Sequence, residues 1–137
     1  MSFDVFVQSY GETQKSGLPV ATVRSQFPIV REELEFNRWI IQYAPNDGCD
    51  IFVGFCKDDK ERLVDFMISR PCGDLRFWYG LFSILQMGKI VIFWPGSPPV
   101  LAAGAKPEDL PAGMVEALGE AVYVGSGAEL LKSVQQT

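Results

Sequence analysis

A strand that ends at a proline and gives way to a helix within a few residues restricts this chain more than any other feature. Val64, Phe66 and Ile68 alternate with Asp65, Met67 and Ser69, a period-two pattern that predicts a strand with one buried face. Pro71 has no N–H and disfavours helix at Arg70, so the strand stops there. Gly73 permits a sharp reversal. Asp74 is suited to cap a helix, because its carboxylate accepts from the open N–H groups of the next turn. From Leu75 to Met87 the chain is largely apolar, with Leu75, Trp78, Tyr79, Phe82, Leu85 and Gln86 on one stripe and Phe77, Leu81 and Ile84 beside it. That pattern predicts a helix buried over most of its circumference. Gly88 is expected to close it as a left-handed cap, and residues 89–94 read as the next strand.

The remaining elements follow from the same signals. Residues 3–8 read as a first strand and 11–17 as a polar loop. A short helix is expected over 19–26, with Pro19 in its first turn and Pro28 beyond its end. Residues 29–36 carry Arg31, Glu32, Glu33 and Glu35 and read as an acidic, exposed connection. Strands are expected over 38–43, 49–55 and 62–69, separated by Pro45-Asn46-Asp47-Gly48 and Lys57-Asp58-Asp59-Lys60, which predicts an antiparallel meander. Residues 95–99 hold three prolines and read as a rigid loop. A helix over 111–118, a short edge strand over 121–124 and a last helix over 127–135 complete the reading. Ser126 and Glu129 have capping-box spacing before that last helix. The order β-α-β-β-β-α-β-α-β-α predicts one α+β domain over residues 1–137. Its expected form is a curved, mainly antiparallel sheet of about five to six strands with helices packed chiefly on one face.

Composition narrows the function. The chain has 137 residues, 47% of them hydrophobic, enough for a real core. No apolar run reaches the roughly 18 residues that span a bilayer. The N-terminus lacks the basic-then-apolar pattern of a signal peptide, so a cytoplasmic location without membrane contact is expected. A net charge of −5 argues against nucleic acid, whose phosphates require a basic surface. Three cysteines and no histidine leave no Ser-His-Asp triad, no Cys-His dyad and no histidine metal site. No metal and no cofactor is expected, and the chemistry leans away from an enzyme.

Five elements together resemble a family of small uncharacterised bacterial proteins: Phe3-Asp4-Val5-Phe6-Val7-Gln8, Cys49-Asp50-Ile51-Phe52, Arg70-Pro71-Cys72-Gly73-Asp74, Phe93-Trp94-Pro95-Gly96 and Met114-Val115-Glu116-Ala117-Leu118-Gly119. The resemblance covers most of the chain, and the Arg-Pro-Cys-Gly-Asp turn is its most specific part. It implies a single domain of bacterial origin. No activity is established for that family, so it assigns no functional residue.

The candidate contact residues are Arg70, Cys72, Asp74 and Trp94. Cys72 precedes a helix start and lies two residues from Arg70, which favours a thiolate, while the Asp74 charge opposes one. Its plain alternative is a small buried residue. Arg70 is expected either to pair with Asp74 across the turn or to hold a carboxylate or phosphate beside the helix N-terminus. Trp94, next to Pro95-Gly96, is a core residue or a rim anchor. Cys49 and Cys56 are seven positions apart and so expected on opposite strand faces. Three functions remain open. One is a non-catalytic protein-binding module of the immunity or antitoxin kind, with a protein partner. Another is a thiol-dependent enzyme or redox protein using Cys72. The third is a small anionic-ligand-binding domain using Arg70 and the helix start. The first is the reading adopted.

Overall fold

The computed structural model describes residues 3–10, 17–111 and 113–136. Most of the polar loop expected over 11–17 falls outside the described residues. Within them the strands are β1 (Val5–Ser9), β2 (Leu18–Pro19), β3 (Ile29–Glu33), β4 (Arg38–Ala44), β5 (Asp47–Cys56), β6 (Asp59–Ser69), β7 (Ile90–Phe93), β8 (Val100–Ala102) and β9 (Val122–Val124). The helices are α1 (Val20–Ser25), α2 (Leu75–Leu85), α3 (Met114–Leu118) and α4 (Gly127–Gln135), with 3-10 turns at Leu34–Phe36 and Pro107–Asp109. The strands form one sheet in the order β3-β4-β5-β6-β1-β7-β8-β9, and β2 pairs with the start of β6. The described pairings are antiparallel except that of β8 with β9. The result is a single α+β domain on a mixed, mostly antiparallel nine-strand sheet.

Three strands stand beyond the expected six: β2 is a two-residue pairing at Leu18–Pro19, and β3 and β8 escape for physical reasons. Residues 29–33 form β3, an edge strand whose charges mask any alternation; charge is how natural edges avoid unwanted pairing. Residues 100–102 form β8, whose three side chains are all buried, so a period-two signal is missing. The expected alternation in β6 also slips. The first of two register shifts between β5 and β6 skips Val64, between the Gly54–Asp65 and Phe55–Leu63 pairs; Leu63 turns inward and Val64 outward.

One large cluster holds Val5, Val7, Ile51, Phe66, Ile68 and Ile92 of the sheet with Phe77, Trp78, Leu81 and Ile84 of α2, Leu130 and Val134 of α4, and Val23 of α1. A second, smaller cluster of Tyr10, Val91 and Leu101 is covered by Leu110 and Met114. Val91 lies between Ile90 and Ile92 in β7, so it points to the opposite face. Three helices therefore pack on one face and α3 on the other.

Asp74 caps α2 as expected, accepting from the Arg76 backbone N–H at 2.8 Å. The helix is nevertheless not buried all round: Leu75 and Tyr79 are exposed, while Phe77, Trp78, Gly80, Leu81, Ile84 and Leu85 are buried. Nor does Gly88 supply a left-handed cap. The helix closes at Gln86 in right-handed conformation, and Gly88 is not among the residues with positive φ. Helix α4 begins where expected: Ser126 Oγ accepts from the Glu129 N–H at 3.1 Å, and the Glu129 carboxylate reaches back to the Gly125 N–H. Among the described residues, no helix is long and apolar enough to cross a membrane.

Candidate functional site

The turn from Arg70 to Asp74 is held from two sides. Asp47, at the start of β5, accepts from the Gly73 N–H through Oδ1 at 2.9 Å. Trp78, one turn into α2, donates its indole N–H to the Cys72 carbonyl at 2.9 Å. Arg70 enters the turn in left-handed conformation, with φ +52°, a region that costs a residue with a Cβ roughly 1–2 kcal/mol.

The expected ion pair between Arg70 and Asp74 does not form. Asp74 instead binds Arg76, with Nε to Oδ1 at 3.0 Å and Nη2 to Oδ2 at 2.8 Å. Arg76 also lies over the Tyr43 ring, 5.1 Å from its centroid. A two-residue spacing at the helix start lets the side chain and backbone of Arg76 converge on one carboxylate. Those hydrogen bonds hold the Asp74 carboxyl below its ordinary pKa. An anion at this helix start would therefore meet a carboxylate already seated there. Arg70 is exposed and has no ion pair among the described residues.

Cys72 is 1% exposed and donates to the Sγ of Cys49 at 2.7 Å. That hydrogen bond and burial push its pKa far up, and the charge of Asp47 adds to the effect. The environment thus opposes the thiolate that the helix start and Arg70 suggest, and a buried thiol held neutral is a poor nucleophile. Near the pair sits Tyr43, whose hydroxyl is buried without a hydrogen bond among the described residues and whose pKa is raised chiefly by burial. Cys56 is also buried. The register shifts near the end of β5 break the alternation that predicts opposite faces for Cys49 and Cys56.

Trp94 is 3% exposed and belongs to the core. Its backbone N–H donates to Ser97 Oγ at 2.8 Å, which closes the Pro95-Gly96 turn. It is not a rim residue. Of the four candidate contacts, Arg70 and Asp74 reach the surface, while Cys72 and Trp94 are buried.

Two surface features escape the sequence reading. On the sheet face opposite α2, a groove of about 280 Å³ is lined by Phe6, Phe52, Gly54, Asp65, Met67 and Phe93 among others. Phe52, Met67, Phe6 and Phe93 are successive cross-strand neighbours, and the Phe6 and Phe93 rings stack at 5.4 Å. Asp65 leans over Gly54: a Cβ there would lie 2.1 Å from Asp65 Oδ1. Asp65 is exposed as a residue, and partial desolvation raises the pKa of its carboxyl.

The second feature is the 3-10 turn joining β3 to β4. Leu34 and Phe36 are 78% and 60% exposed at its tip, and Val30 of β3 is 57% exposed. The turn is firmly built. Asn37 closes it in left-handed conformation with φ 51°, its N–H donating to the Leu34 carbonyl. Val53 of β5 in turn donates to the Asn37 carbonyl at 2.9 Å. Around the tip, Glu32 pairs with Arg24, and Glu33 with Arg31 and Arg38; Glu35 has no ion pair among the described residues.

Comparison with known proteins finds no matching family model, no matching curated relative and no matching solved structure.

Proposed function

We propose that this protein is a non-catalytic protein-binding module, of the kind that immunity and antitoxin proteins represent, and that Leu34 and Phe36 are its anchors. The observation that carries the reading is the exposure of these two large apolar side chains on a turn fixed by Asn37 and Val53. Aromatic side chains such as Phe36 are enriched in protein interfaces, and presenting them on a rigid element lowers the ordering cost of binding. The bulge between Ile29 and Arg31 and the charges along β3 blunt that edge against strand addition. The partner accordingly meets the apolar tip with a pocket, and a basic group on its rim matches Glu35, whose neighbours Glu32 and Glu33 are already paired with arginines.

The test is a paired capture from lysate of the source cells, using wild-type protein and a Leu34→Ser, Phe36→Ser double variant with matched melting curves. A stoichiometric partner retained by the wild type and lost by the variant is expected. Capture that is indifferent to the two substitutions contradicts the reading.

A further inference from the structure

We propose that Cys49 and Cys72 form a dithiol oxidation site, which a hydroperoxide converts to an intramolecular disulfide within the folded protein. Both cysteines are unbridged, and their sulfurs lie 2.7 Å apart. Fixed contacts on both sides impose this approach. The β5–β6 register sets Asp50 opposite Ser69, so Cys49 stands at the end of the ladder where the chain turns away. The Asp47 carboxylate then holds Gly73, and the Trp78 indole holds the Cys72 carbonyl. A disulfide therefore requires a small closure between groups already positioned, joining β5 to the entry of α2. The inference goes beyond the binding reading and does not rest on it.

The two sulfurs have different roles. Cys72 is 1% exposed and Cys49 6%. Cys49 is thus the sulfur that meets the oxidant. In its thiolate form it attacks the terminal peroxide oxygen: an S–O bond forms, the O–O bond breaks, and the departing alkoxide takes a proton. The product is a Cys49 sulfenic acid. Oxidation of Cys49 removes the thiol partner that holds Cys72 protonated; Cys72 then attacks the Cys49 sulfur, its proton going to the departing hydroxide, so that the S–S bond forms as the S–O bond breaks and water leaves. Two thiols lose two electrons and two protons, and the hydroperoxide is reduced to an alcohol and water. With hydrogen peroxide itself, both products are water. Cys56 has no part in this. It lies at the other end of β5, where its sulfur packs against Gly17, and seven strand residues place it roughly 20 Å from Cys49.

The experiment treats the native wild-type protein with hydrogen peroxide, removes the oxidant with catalase, and denatures it in N-ethylmaleimide for peptide mapping. The expected result is a Cys49–Cys72-linked peptide pair with only Cys56 alkylated, reversed by dithiothreitol. A Cys56→Ser variant is expected to give the same link. Three alkylated cysteines, under conditions that fully oxidise free glutathione, would overturn the proposal. So would a link containing Cys56, or oxidation that stops on a single sulfur.

Discussion

The indole N–H of Trp78 donates to the carbonyl oxygen of Cys72 at 2.9 Å, with both residues buried. This one bond ties the turn to the helix that follows it and sets where the Cys72 sulfur lies. Replacing Trp78 by Phe leaves that carbonyl buried and unpaired. A buried acceptor without a partner costs about 1–3 kcal/mol. Trp78→Phe is therefore expected to destabilise the fold by about that amount, measured by urea unfolding, beyond any loss from the smaller ring.

Tyr43 presents the opposite case. Its hydroxyl is buried with no partner among the described residues, while its ring receives Arg76 on its face and meets Phe77 edge-on. Tyr43→Phe keeps the ring contacts and removes the unpaired oxygen. Stability is expected to stay level or rise by up to about 1 kcal/mol. A loss of more than that in the same unfolding measurement would show that the hydroxyl has a partner.

Helices α2 and α4 touch at Gly127. A Cβ there would lie 2.8 Å from Tyr79 Cα and 2.9 Å from the Trp78 carbonyl oxygen. Both are backbone groups and cannot rotate away. Alanine improves helix propensity by about 1 kcal/mol, but overpacking a close contact costs about 1–3 kcal/mol. Gly127→Ala is expected to lower stability on balance, seen as a lower melting temperature. A rise would mean that α4 can slide off α2 without penalty.

Asp65 provides a pH-dependent prediction. Asp65 is an exposed residue, but partial desolvation of its carboxyl against the sheet raises its folded pKa, so the charged form costs some stability when the pH is above that value. The cost fades as pH falls through the folded pKa, and it is gone below the unfolded pKa, where both states are protonated. Asp65→Asn is expected to raise the melting temperature at pH 7, and the gap between variant and wild type is expected to close on acidification. Asp74 runs the other way. Its hydrogen bonds with Arg76 depress its folded pKa, so its stabilisation is present above the unfolded carboxylate pKa and is lost as pH falls through the folded value.

What could be read from the sequence was whatever rested on a local period or a local cap. The β4–β6 meander, the Asp74 cap, α2, β7 and the Ser126–Glu129 cap are all of this kind. Edges were not legible, because β3 carries charges where alternation is expected and β8 buries three consecutive side chains. The turn at Arg70–Asp74 could be found from Pro71 and Gly73, but its partners could not. Arg76 takes Asp74 from the helix itself, because its backbone N–H and its side chain converge on the same carboxylate. Cys49 and Cys72 meet only through the β5–β6 register, although the two turn signals flanking β5 were enough to bring residue 49 near residue 70. The Leu34–Phe36 tip was hidden inside an acidic run. Two large apolar side chains within such a run were the available signal.

The most direct test of the binding account places a photo-crosslinking amino acid, p-benzoylphenylalanine, at position 36 and, in a separate protein, at position 123. Tyr123 is also exposed, but it lies on β9 at the opposite edge of the sheet. Irradiation in the source cells is expected to give one discrete adduct from position 36 and none from position 123. An adduct from position 123 with none from position 36 would contradict the account, because the partner would then sit on the other edge.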